Sequence, residues 1–326
     1  MVLRLEEGRL VTVFGGSGFL GRHAVRALAR DEWRVRAAVR RPDLAGHLQP
    51  MGYVGQIHAV QANLRYPASL PRALEGADVV VNLVGIPAKS GAQTFEAVHV
   101  AGARAVARAA KEAGVRQLVH VSALGAERKA KSNFARSKWA GEAAVRAHFP
   151  EAIILRPAPV FGPEDRLFNR CAELARLLPL LPLVGGGKGL LQPIYVGDVA
   201  AVIAAACTGK AAAGAVYELG GPDVVTWRGL FDRAQGWSGR KRWYLPVPFA
   251  LAKLAALLTL PLPQAWRPLT VDQIRMRQRP CVVSKEAEAD ARTLSGLGLS
   301  THAMAGIVPT YLQRFQRHGQ FAQVGG

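Results

Sequence analysis

In the N-terminal half of the chain, short β-branched apolar runs alternate with stretches in which apolar residues recur every three or four positions. The runs at 11–14, 34–39, 57–61, 78–84, 117–121 and 152–155 predict strands, and 22–29, 95–113 and 137–149 predict helices between them. Within 95–113 the helical spacing is carried by Val98, Ala101, Ala105 and Ala109, and Gly114 is the expected C-cap. Such alternation predicts an α/β fold, a doubly wound parallel sheet of the Rossmann kind. Beyond Pro157 the pattern changes, with Gly162, Pro163, Pro179, Pro182 and the glycine run 185–187 marking a second, smaller C-terminal lobe. An Ala-rich helix is expected to open at Asp198 as its N-cap, and a strand at 216–219 to rejoin the sheet. The expected division is 1–160 for the sheet domain and 161–326 for a partner or substrate lobe.

Composition adds a charge problem. Half of the 326 residues are apolar, enough for a large core, yet the formal net charge is +19. An Arg-rich compositional habit, an anionic membrane surface, an acidic protein partner or a nucleic acid would each account for it. No basic arm, zinc finger or RNA-recognition signature is present, which makes nucleic acid the weakest of these. Cys171, Cys207 and Cys281 are far apart, and no metal-ligand spacing occurs, so neither disulfides nor a metal are expected. Residues 1–7 lack the apolar core of a signal peptide, which fits a cytoplasmic protein. In the second lobe, Arg240, Lys241, Arg242, Trp243 and Tyr244 precede an apolar stretch, 245–262, interrupted by Lys253 and followed by Trp266 and Arg267. Pro246, Pro248, Pro261 and Pro263 argue against a spanning helix. A surface docked on anionic lipid or on a membrane assembly competes here with an ordinary buried helix near 249–260.

The chemistry begins at the end of the first strand. Gly15, Gly18 and Gly21 lie between that strand and a helix, with Gly16, Ser17, Phe19 and Leu20 among them. Here Gly15 would make the tight turn, Gly18 admit a pyrophosphate, and Gly21 let the helix pack close, leaving unpaired N–H groups to face an anion. At the end of the second strand, where an acid would select NAD, stand Arg40 and Arg41, which favour the 2′-phosphate of NADPH.

These residues, with VNLVGI at 81–86, HVSALGA at 120–126, RPAPVFGPED at 156–165 and QPIYVGDVA at 192–200, resemble the extended and atypical short-chain dehydrogenase/reductases. They look like the branch containing the NADPH-binding accessory subunit of respiratory complex I. The resemblance implies that Asn63 and Leu64 lie beside adenine and that Asn82, Val84 and Gly85 line the strand end beneath the dinucleotide. It also implies that Lys138 bonds the nicotinamide ribose, and that Pro157 and Val160 pass the nicotinamide.

Active members carry a YxxxK pair, in which lysine lowers the tyrosine pKa so that its hydroxyl can pass a proton. Here Lys138 is kept but Phe134 stands in the tyrosine position, and Leu124 stands where many extended members place the catalytic hydroxyl. Ser122, the nearest hydroxyl, reads more simply as a strand-end hydrogen-bonding group. No catalytic residue is therefore assigned. The expectation is an NADPH-binding, catalytically silent accessory subunit or assembly factor of complex I, on the inner face of the cell membrane, with complex I subunits or another membrane assembly as partners. The alternatives are an active NADPH-dependent reductase or nucleotide-sugar epimerase/dehydratase using another donor, with Tyr53 and Tyr195 as candidates, and a lipid or quinone carrier.

Overall fold

The structure, a computed structural model, describes residues 8–259 and 269–316. Seven parallel strands form one sheet: β1 (Leu10–Phe14), β2 (Arg34–Val39), β3 (Ile57–Gln61), β4 (Val79–Asn82), β5 (Gln117–Val121), β6 (Ile153–Pro157) and the strand Val216–Leu219. Their order places β1 centrally, with β2 and β3 on one side and β4, β5, β6 and Val216–Leu219 on the other. Chain direction across the sheet thus reverses between β1 and β4, and the register Phe14 opposite Asn82 aligns their C-terminal ends. A crevice opens at such a switch point. The central strands are buried on both faces, as parallel strands under helices must be, and β4 is buried at every residue.

Helix α1 (Phe19–Arg30) follows β1 and buries Gly21, Ala24, Val25, Leu28 and Ala29, one stripe at helical spacing. The short helix α2 (Leu70–Leu74) precedes β4. The stretch expected as one helix from 95 begins as a π-turn, Glu96–Ala101, and becomes regular only as α3 (Gly102–Glu112), with Gly114 ending it at φ +69°. Helix α4 (Asn133–His148) starts four residues before its expected position, because Ser132 caps it by accepting from the Ala135 N–H. The helix Val196–Cys207 packs on α1 and is almost wholly buried. Asp198 is its third residue rather than its N-cap, and is buried.

With a first boundary at Pro157, near the expected one, and the strand expected to rejoin the sheet, the two units are interleaved. One compact unit comprises Met1–Pro157, Val196–Leu219 and Ser284–Ser300; the other comprises Ala158–Tyr195, Gly220–Val283 and Thr301–Gly326. The physical reason is the sheet, whose last strand and buried helix come from beyond the first boundary. The second unit has its own core of Phe161, Phe168, Leu181, Leu230, Phe231, Met304 and Val308. In it Asp165 is buried and accepts from the N–H groups of Gly162, Leu167 and Asn169 and from the Tyr311 hydroxyl, so it ties down a turn. Residues Gly185–Gly187 form a tight turn in which all three take positive φ, between +64° and +69°. The expected apolar stretch 245–262 resolves into a strand, Trp243–Val247, parallel to Leu180–Val184, and a helix, Phe249–Leu258. Only Ala252 and Ala256 of that helix are buried, so it is not the buried helix its composition allows. Pro261, Pro263, Trp266 and Arg267 lie outside the described residues. Among the described residues no helix is long and apolar enough to cross a membrane.

Candidate functional site

At the switch point of the first unit lies a cleft of about 390 Å³ lined by Gly15, Ser17, Gly18, Phe19, Leu20 and Gly21 on one side. Arg40, Asn63, Leu64, Arg65, Val84 and Gly85 line the other. Gly15 takes φ +82° and donates to the Ala38 carbonyl, turning the chain off β1. A β-carbon on Gly21 would collide with the Gly15 carbonyl oxygen, so only glycine lets α1 start this close to the loop. Gly18 caps α1 without a side chain, and the first turn has no acid. The first N–H groups of α1 are left for an anion. Gly16 instead faces the Ala37 and Val25 side chains.

The cations divide. Arg40 is exposed at the end of β2 and lines the cleft, whereas Arg41 turns to Asp43, 2.8 Å away. Sequence reasoning missed Arg65, whose guanidinium lies 5.8 Å from the Tyr66 ring centroid and which also lines the cleft. Its signal was a second cation just past the end of β3. No carboxylate is among the described lining residues, so the cleft suits a ligand with several phosphates. The Asn63 Oδ1 accepts from the Arg65 N–H, which closes the turn that carries both residues.

Beyond Gly85 the floor is a buried polar cluster. A β-carbon on Gly85 would stand 3.2 Å from Lys138 Nζ, which donates to the Val121 carbonyl at 3.2 Å. Phe134 and Lys138, four residues apart on α4, share a face. The Phe134 ring meets Phe95 and His99 edge-on. Ile86 N–H donates to His99 Nε2 at 3.0 Å. Ser137 gives its one hydroxyl hydrogen to the Phe134 carbonyl at 2.7 Å, so the 2.8 Å contact between His99 Nδ1 and Ser137 Oγ requires Nδ1 to donate. Both contacts hold His99 as the neutral Nδ1–H tautomer.

Asn82 similarly orients its neighbour: Oδ1 accepts from the Val84 N–H, leaving Nδ2 to donate to His120 Nδ1 at 3.2 Å. Burial, and then the charge of Lys138, push His99 and His120 down to about 3. Burial lowers Lys138 to about 8, against the raising effect of Glu142. That carboxylate is already held by Arg156 from β6, at 2.9 and 2.7 Å, with Glu218 as a second partner at 3.6 Å. Ser122 is buried, and its hydroxyl has no hydrogen-bond partner among the described residues.

The predicted residues therefore separate by place. The glycine loop, Arg40, Asn63, Leu64, Val84 and Gly85 meet in one cleft; Lys138 adjoins it at Gly85; Pro157 ends β6. Val160 opens a short strand of the other unit, Tyr195 ends the partner strand, and Tyr53 is exposed. The close approach at Gly21, the open helix end and the two guanidinia fit a dinucleotide. A nicotinamide cofactor bound there would supply or accept a hydride. Phe134 offers no proton to accompany it, and the His99 proton is committed to Ser137.

Comparison with known proteins agrees with this geometry. The profile of the NAD dependent epimerase/dehydratase family matches residues 11–220. The NADH dehydrogenase [ubiquinone] 1 alpha subcomplex subunit 9 of Arabidopsis thaliana is 35% identical over 330 residues, spanning 96% of this chain and 79% of the relative. The ceramide reductase of Caulobacter vibrioides is 39% identical over 198 residues, 61% of each chain. Among solved structures, the NADPH-dependent quinone oxidoreductase QOR2 of Escherichia coli, complexed with NADPH, shares the fold with a TM-score of 0.72 at 22% identity, covering 93% of this chain and 99% of that one. The chain belongs to the NAD dependent epimerase/dehydratase family, which agrees with a nicotinamide cofactor.

Proposed function

We propose that the protein is an NADPH-binding subunit of respiratory complex I, or an assembly or stability factor for it, seated at the inner face of the cell membrane and performing no hydride transfer of its own. The observation that carries this reading is Phe134 one turn before a retained, buried Lys138: a site that keeps the group for holding the cofactor and has lost the group that passes the proton. The likeness to a complex I subunit along almost the whole chain supports the partner. Arg40 and Arg65 in a cleft without acids support NADPH over NADH. The test is gentle solubilisation of native membranes, capture of the protein, and identification of both the released nucleotide and the proteins that accompany it. NADPH together with complex I subunits is the expected outcome; neither one present overturns the reading.

A second reading, an NADPH-dependent reductase of a long-chain lipid ketone, is favoured by the likeness to a ceramide reductase. It requires a proton donor other than residue 134. Stoichiometric oxidation of NADPH by oxidised ceramide would establish it in place of the first.

A further inference from the structure

We infer that the second unit carries a headgroup site for an anionic phospholipid, between Arg228 and Arg242 and beside the exposed Trp243. This deepens the membrane part of the proposed function and rests on it only in expecting a bilayer nearby. A pocket of about 320 Å³ is lined by these residues with Tyr244 and the Gly186 turn. Arg228 stands 5.4 Å over the Tyr244 ring, and Arg242 donates Nε to the Ala175 carbonyl at 2.8 Å. Among the described residues neither guanidinium pairs with a carboxylate, and Asp232 accepts from the Tyr244 hydroxyl. Two guanidinia facing one pocket without a counter-ion suit a phosphate, whose oxygens accept two N–H bonds from each fork.

The surroundings select a lipid as the source of that phosphate. In the parallel pair, Trp243 lies opposite Leu180 and Leu245 opposite Pro182. Trp243 is 81% exposed, Leu180 48% and Leu245 51%, so the strand that forms the pocket wall also presents an apolar plaque. The next helix exposes Leu251, Leu254, Leu257 and Leu258. A soluble phosphate compound would leave these apolar groups in water; a bilayer receives them while its headgroups meet the arginines. Charge agrees, because no acidic residue occurs between Asp232 and Asp272, a stretch that holds Arg240, Lys241, Arg242 and Lys253.

The test uses the purified full chain, sedimented with vesicles of phosphatidylcholine alone or with phosphatidylglycerol added. Sedimentation with the anionic vesicles only is expected. The pair R228Q/R242Q should weaken it roughly thirtyfold, since each basic residue near an anionic surface contributes about a factor of five. Because Arg242 also holds the Ala175 carbonyl, R228E is the second variant: Arg228 is exposed and its side chain has no hydrogen-bond partner among the described residues, so the substitution should weaken sedimentation while NADPH affinity stays as in the parent. Wild-type sedimentation by R228E, or equal sedimentation with phosphatidylcholine alone, overturns the site. Tight binding of inorganic phosphate without vesicle binding also overturns it, in favour of a soluble anion. Recovery with complex I is scored separately. Vesicle binding without such recovery removes the functional reading and leaves the site; recovery without vesicle binding removes the site alone.

Discussion

The Phe134 ring meets the His99 imidazole edge-on, centroids 5.5 Å apart and planes at 86°. A hydrocarbon ring thus stands one turn before Lys138, and the imidazole beside it is locked neutral by Ile86 and Ser137. Wild-type protein should oxidise NADPH in the presence of test ketones no faster than buffer does. F134Y, one turn before Lys138, should exceed that rate with a substrate that binds, within the roughly 10²–10⁴-fold that general acid catalysis contributes. Stopped-flow absorbance of the nicotinamide measures both; rapid turnover by the wild type would place the donor elsewhere.

Arg40 and Arg41 should behave differently despite being neighbours. Loss of a charge-assisted contact costs about 1.5–3 kcal/mol, so R40D should lower NADPH affinity about ten- to a hundredfold and leave NADH affinity nearly unchanged. R41A removes only an exposed pair with Asp43 and should change NADPH affinity less than about threefold. Calorimetric titration with both nucleotides distinguishes the two.

Acid should unfold the protein through its buried histidines. His99 and His120 titrate near 3 when folded and near 6.5 when unfolded, so between those values the unfolded chain binds more protons. Stability is full above about 6.5 and falls as pH drops toward 3, at up to roughly 1.4 kcal/mol per pH unit for each histidine. Lys138 acts at the other end: with its folded pKa lowered to about 8, stability rises as pH climbs from about 8 toward 10. Urea unfolding of the apo protein across pH checks both slopes, and H120N should flatten the acid one.

Removal of the carboxylate that holds Arg156 should be costly. Glu142 is almost fully buried, and E142A would leave the arginine with only the more distant Glu218, for a loss of about 3–5 kcal/mol. Thermal melting measures it. Because Glu142 also raises the pKa of Lys138, the same variant should lower that pKa further, visible in the pH dependence of NADPH affinity.

The sheet was legible because 34–39, 57–61, 117–121 and 216–219 each set Val, Ile or Leu among a few polar residues between turn signals, and each forms a strand over those residues. The glycine loop was equally plain, since its residue types permit few other conformations. Other features depend on contacts that local pattern does not carry. The start of α4 was hidden because Ser132, Asn133 and Arg136 break apolar periodicity, while the cap that begins it is a single serine hydroxyl. The π-turn leaves the spacing of Val98 and Ala101 looking helical, and His99 reads as one polar residue among alanines until Gly141, approaching without a side chain, brings α4 against its carbonyl. Arg41 looked equivalent to Arg40 because its commitment to Asp43 is a matter of side-chain direction.

The interleaving of the two units sets an order on synthesis. When Pro157 has left the ribosome, β6 has neighbours on one side only, and its outer backbone groups wait for Val216–Leu219. Glu218 arrives with that strand, completes the pair of acids around Arg156 and then accepts from the Ser284 N–H, so the last segment of the first unit closes over a strand made much earlier. An open parallel edge is a template for other chains. A nascent chain stalled anywhere between 158 and 215 should therefore be a substrate for chaperones, whereas one extended past 300 has every segment needed to cover that edge.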